Sequence, residues 1–145
     1  MGVLTHLEPA RVFYYFEEIT KIPHGSGNTK EISDFLAAFA RENNLKYRQD
    51  ELNNIVIWKE GKGKPVILQG HMDMVCEKEP DCNKDMSKEG LDIYVDGGEV
   101  RAKGTTLGGD NGIAVAMAMA LLELEDDTLP PIEAIITVDE ETGMY

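Results

Sequence analysis

The chain has 145 residues, 42% of them hydrophobic, and a formal net charge of −13. That length and apolar content suffice for one domain with a core of its own and exclude wholesale disorder. The acidity argues against a nucleic-acid backbone or an anionic membrane surface as partner and otherwise reads as solubility.

The opening Met1-Gly2-Val3-Leu4-Thr5-His6 lacks the basic start and apolar core of a signal peptide. His6 also stands where a myristoylation motif wants Ser or Thr, so a cytoplasmic location is expected. Residues 9–22 read as a helix, with Val12, Phe13, Phe16 and Ile19 on one face and Pro9 suited to its start. Residues 23–27 form a loop. Asn28 followed by Glu31 has the form of an N-cap with its capping partner. The second helix then carries Ile32, Phe35, Leu36 and Phe39 as its buried stripe and stops at Asn43-Asn44.

A short strand over 46–50 and a turn at Asn53-Asn54 precede a strand over 55–58. Residues 66–70 are apolar almost without alternation, which predicts an interior strand buried on both faces. Cys76 and Cys82 lie in a charged loop without C-x-x-C spacing and are expected as free thiols. Residues 92–101 read as a hairpin around Asp96-Gly97-Gly98. A third helix over 113–125 is apolar almost all round and is expected to be buried. Its apolar run, residues 113–122, falls far short of the ~20 residues of a membrane span. After Pro130-Pro131, residues 132–138 form a last interior strand. The order of elements suggests an α/β layer structure.

Three sites along this pattern can carry chemistry. His71-Met72-Asp73 follows a strand; a neutral imidazole is a common zinc ligand, and an Asp two residues on can hold its other ring nitrogen. Taken alone, a histidine after a strand is more often just a satisfied polar residue. The Gly-rich stretch 104–112 delivers Asp110 and Asn111 to a helix start. There they could cap the helix or border an anion cradle, or Asp110 could aim at a metal. Asp139-Glu140-Glu141 ends the last strand. It reads either as a solvated turn or, since ligands gather at the carboxyl ends of strands in open α/β sheets, as a metal ligand beside a proton acceptor.

Taken together and in this order, these segments resemble one family. They are Leu68-Gln69-Gly70-His71-Met72-Asp73-Met74-Val75, the run Ala102-Lys103-Gly104-Thr105-Thr106-Leu107-Gly108-Gly109-Asp110-Asn111-Gly112, and the loop pieces Ile22-Pro23-His24 and Ser26-Gly27-Asn28. The family is that of the co-catalytic zinc exopeptidases and deacylases related to carboxypeptidase G, aminoacylase and succinyl-diaminopimelate desuccinylase. The loops look most like those of its branch that cleaves Xaa-His dipeptides.

The resemblance implies an α/β fold, a three-layer zinc-exopeptidase-like mixed sheet flanked by helices and incomplete here. Residues 1–145 would be the N-terminal portion of the catalytic domain, without the lid and dimerisation domain and without the C-terminal part of the catalytic domain. It implies His71 as a terminal ligand of one metal, Asp110 as the carboxylate bridging two, and Glu141 as a terminal ligand of the other. Glu140 would be the general base and Asp73 the carboxylate behind His71. The implied cofactors are two divalent ions, zinc or else cobalt or manganese, only weakly or partly held by a chain that lacks a terminal ligand for each. A cis peptide bond after Asp110 is implied as well. The expected activity is hydrolysis of small peptides, with no nucleic acid or membrane as partner, self-association into a homo-oligomer, and no turnover by the truncated chain alone. The alternatives are an acyl-amino-acid deacylase or tripeptidase of the same family, or a catalytically silent interaction module.

Overall fold

A computed structural model describes residues 2–143. Helix α1 (Ala10–Thr20) follows Pro9, which is extended and has no N–H to leave unpaired at the helix start. Helix α2 (Lys30–Glu42) begins after Thr29, not at an Asn28–Glu31 capping box. The Asn28 amide is drawn to a tertiary partner instead, donating to the Ser87 carbonyl at 3.1 Å. Tertiary packing here overrides a local capping signal.

Strands β1 (Lys46–Gln49), β2 (Ile55–Lys59), β3 (Val66–His71) and β6 (Ile132–Thr137) form one mixed sheet in the order β1-β2-β6-β3. β1 pairs antiparallel with β2, and β2 antiparallel with β6, whereas β3 runs parallel to β6. Strands β4 (Ile93–Asp96) and β5 (Glu99–Ala102) make the separate hairpin expected from Asp96-Gly97-Gly98. Among the described residues the sheet is thus mixed and helix-packed, in keeping with the α/β class read from the sequence.

Period-two alternation decides the faces of the sheet. Ile55, Ile57, Ile132, Ala134 and Ile136 are buried and share one core cluster with Phe16 and Ile19 of α1, Ile32, Leu36 and Phe39 of α2, and Val115, Met119 and Leu122 of the third helix. Residues of the other parity, such as Val56, Trp58 and Ile135, are only half-buried. Arg11 of α1 is ion-paired to Glu123, just past α3 (Gly109–Leu122), at 2.6 Å, and Tyr15 donates to the same carboxylate. This exposed-to-half-buried latch closes α1 onto α3. No helix among the described residues is long and apolar enough to cross a membrane.

Two sequence expectations change. β3 is not an interior strand: among the described residues it pairs only with β6, and Val66 and Ile67 stand 42% and 63% exposed. An unalternating apolar run reports hydrophobicity, not whether a second neighbour exists. Helix α3 starts at Gly109, earlier than expected, and is not buried all round, since Met117 and Leu121 face solvent. It packs one side on α1 and on the sheet, where the Gly112 Cα lies so close that an added Cβ would come within 3.3 Å of the Phe16 ring.

Candidate metal centre

Parallel pairing of β3 with β6 brings their carboxyl ends to the same edge, with His71 opposite Thr137. The turn after β6 then folds back as a short 3-10 segment, Glu140–Thr142, preceded by Asp139 in the left-handed region at φ 58°. This turn carries Glu140 and Glu141 over the end of β3. From the far side, the start of α3 brings Asp110. Gly108 makes the bend at φ 76°, where a side chain is disfavoured. Asp110 and Asn111 are non-helical within the α3 span and joined by a cis peptide bond. Neither side chain caps the helix.

The result is a convergence on His71. Its Nε2 lies 3.1 Å from Asp110 Oδ1, 3.6 Å from Glu140 Oε2 and 3.9 Å from Glu141 Oε1. One ligand atom each from His71, Asp110 and Glu141 fits within 4.8 Å of the others. The imidazole is nearly buried at 7% side-chain exposure, while Asp110 is 81% exposed. The site is therefore an imidazole at the floor with carboxylates rising toward solvent.

Asp73 fixes the floor. Its carbonyl and its Oδ1 both face His71 Nδ1, at 2.9 and 3.2 Å. In the neutral ring these acceptors hold the proton on Nδ1 and leave the Nε2 lone pair toward the carboxylates. The fully buried Asp73 carboxylate also accepts from the Ser26 hydroxyl at 2.7 Å and from the Glu140 and Glu141 amides at 3.1 and 3.3 Å. Burial would raise its pKa, but these donors outweigh burial and hold it below the usual carboxylate value. For His71, burial alone would lower the pKa; the Asp110, Asp73 and Glu140 oxygens outweigh it and raise it.

The donor set suits a divalent cation. An imidazole whose second nitrogen is held by a carboxylate, facing oxygens from Asp110, Glu140 and Glu141, is the combination zinc and similar ions take. Among the described residues, His71, Asp110 and Glu141 are the group of such side chains close enough to share an ion.

The structure thus gathers His71, Asp73, Asp110, Glu140 and Glu141 into one site. Three further contacts lie outside the sequence expectations, which give Asn111 only as a candidate helix cap or cradle residue and Asp139 only as part of the acidic turn. Ser26 reaches Asp73, Asp139 turns away from the cluster to accept the Gly27 amide at 2.8 Å, and Asn111 accepts the His71 amide at 3.0 Å. Ser26, Gly27 and Asn111 do lie in the segments that carry the family resemblance, but nothing in their spacing pairs them with these partners.

No family model matches the chain. It is 38% identical, over 149 aligned residues, to the cytosol non-specific dipeptidase of Escherichia coli (strain K12), covering 99% of this chain and 31% of that protein. Its fold superposes with a TM-score of 0.93 on the aminoacylhistidine dipeptidase of Vibrio alginolyticus, at 37% identity, covering 99% of this chain and 30% of that one. A tripeptidase from Staphylococcus aureus shares the fold at a TM-score of 0.74 and 23% identity, with 92% of this chain and 37% of that one covered. The chain spans about a third of the length of the first two relatives. It thus matches the N-terminal part of a cytosol non-specific dipeptidase and of an aminoacylhistidine dipeptidase.

Proposed function

We propose that residues 1–145 supply the N-terminal portion of the catalytic domain of a metal-dependent dipeptidase, with Xaa-His dipeptides as its substrates. The observation that carries this reading is the convergence of His71, Asp110 and Glu141 within ligand reach of a common centre. The substrate class rests on the similarity to an aminoacylhistidine dipeptidase. The relatives are about three times as long, and three ligand groups are fewer than a pair of four-coordinate zinc sites needs, so the activity is assigned to a protein of the relatives' length. Turnover by this chain alone is not expected. A soluble, cytoplasmic protein acting on small peptides fits this reading, as does self-association through the exposed start of β3.

In this site His71, Asp110 and Glu141 would hold the divalent ions, with Asp110 as the carboxylate that two of them would share. Zinc is favoured, with cobalt or manganese as alternatives. Bound there, the ions would supply Lewis-acid polarisation of the peptide carbonyl and lower the pKa of the attacking water. Asp73 keeps His71 in one tautomer and orientation. Glu140 lies on the same turn as Glu141, is about half-exposed, and reaches the same face of His71. It takes the proton of the attacking water and delivers it to the leaving amine.

The test separates Glu140 from its neighbour in a protein of full length. Glu140→Gln should leave metal content intact and lower turnover of Xaa-His dipeptides by roughly 10²–10⁴-fold, because an amide cannot accept the proton. Glu141→Ala should instead lower metal content. Wild-type turnover by Glu140→Gln would assign the base elsewhere. Cleavage of acyl-amino acids or tripeptides in preference to dipeptides would change the substrate class and keep the mechanism.

A further inference from the structure

Two ligand groups of the candidate centre come from elements with no backbone pairing to each other. His71 ends β3, and Asp110 sits in the bend that opens α3. Among the described residues β3 has a strand neighbour on one side only, β6. The Met72 amide is taken by the Thr137 carbonyl of that neighbour at 2.8 Å, whereas the His71 amide points the other way. There it meets the side chain of Asn111, whose Oδ1 accepts it at 3.0 Å. Asn111 is covalently next to Asp110, and Asp110 Oδ1 faces His71 Nε2 at 3.1 Å.

We propose that Asn111 is the positioning residue that sets His71 and Asp110 at ligand spacing. Its side chain takes the place of a second strand at the end of β3, and one residue thereby locks the backbone of one ligand to the backbone of the other. Gly70 is part of the device. A Cβ at Gly70 would lie 2.5 Å from Asn111 Oδ1 and 3.7 Å from Ala114 Cβ, so the amide can close on the strand only over a bare Cα. This accounts for a glycine immediately before the histidine, although Gly70 lies in a strand and has no positive φ. A buried peptide N–H left without Asn111 would have lost its acceptor, and the strand end would be free to shift relative to the α3 bend.

The inference rests on the metal reading above, so the experiment carries one readout that needs metal and one that does not. In the first, zinc affinity is measured by chelator competition, with the cobalt absorption spectrum as a check on geometry. Asn111→Ala should weaken zinc by roughly 10–100-fold, the range for residues that orient a ligand without touching the ion. Asn111→Asp, which keeps an acceptor oxygen at the same reach, should stay near wild type. Gly70→Ala should weaken zinc as well, and in the Asn111→Ala background it should add little, since both act on one contact. Wild-type affinity in Asn111→Ala, or full additivity of the pair, overturns the proposal.

The second readout is hydrogen exchange of the His71 amide in the metal-free protein. It should be slow in wild type and in Asn111→Asp and fast in Asn111→Ala. Rapid exchange in wild type overturns the proposal without any variant, which covers the case in which the substitutions fail to fold. If wild-type protein of the relatives' length, in which both zinc readouts are taken, binds no zinc, the metal reading fails, and the amide exchange alone still decides whether Asn111 holds His71.

Discussion

The parallel pair β3–β6 has two ends of opposite character. At the carboxyl end the chain is sealed. Gly70, His71, Met72 and Asp73 are buried, Ile136 is 2% exposed, and the 23–28 loop covers them through Ser26 and Gly27. At the amino end Val66 and Ile67 lie open, with no further strand beside them among the described residues. The amino end, Val66-Ile67, is the more apolar in sequence and yet the more exposed. What differs is the tertiary cover, and the sealed end is where polar groups have been gathered. Burial there makes hydrogen bonds to Asp73 and His71 selective for one geometry, because an unmet polar group would be costly.

Substitutions at the two ends should differ in their effect. The largest effect is expected at the sealed end. Ile136→Ala should cost about 2–5 kcal/mol in denaturant unfolding, through lost burial and the cavity left beside α3. A smaller, pH-dependent effect belongs to His24, which is buried in the covering loop with Nδ1 2.6 Å from the Ile22 carbonyl. Burial lowers its pKa from 6.5, opposed by that carbonyl and by Asp73. A lowered folded pKa means that the unfolded chain takes up the proton first. The stability associated with neutral His24 is therefore complete above the ordinary value of 6.5 and is lost as pH falls through the lower folded value. His24→Gln should flatten that part of the stability–pH curve, and an unchanged curve would mean that the ring is solvated. The smallest effect belongs to the open end, where Ile67→Ala should change stability by no more than about 0.5 kcal/mol. A loss there comparable to that of Ile136→Ala would show that Ile67 is covered in solution. Light scattering on Ile67→Lys would then show whether a second copy is the cover.

Much of this was legible in the sequence. Val12, Phe16 and Ile19 announced α1 by helical spacing, and Ile32, Leu36 and Phe39 announced α2. The Asp-Gly-Gly turn gave its hairpin. The cis bond implied by the family resemblance stands at Asp110–Asn111. His71, Asp110, Glu140 and Glu141 could be singled out because chemically demanding residues ended apolar runs or opened a helix. Their convergence needed β3 and β6 to be parallel neighbours, which no local pattern states. The edge position of β3 was hidden for the same reason, since Val66 and Ile67 would read identically with a strand on either side. Asn28 misled because its amide could satisfy a cap or a distant carbonyl, and only the fold selects Ser87. Ser26, Asn111 and Asp139 act through single hydrogen bonds across large separations, and a polar residue in a loop carries no mark of its partner.

The Asp73 carboxylate has a consequence for the order in which the chain folds. It joins Ser26, 47 residues before it, to the amides of Glu140 and Glu141, 67 and 68 residues after it. Contacts of such span gain nothing until both long loops have closed, so they form after the locally stabilised helices and the hairpin. An interaction made after the transition state restrains the exit from the native state and not the approach to it. In stopped-flow experiments Asp73→Asn should therefore steepen the rise to unfolding while folding proceeds at nearly its original rate. The carboxylate that orients the histidine would then also act as the clasp that sets how long the folded chain persists.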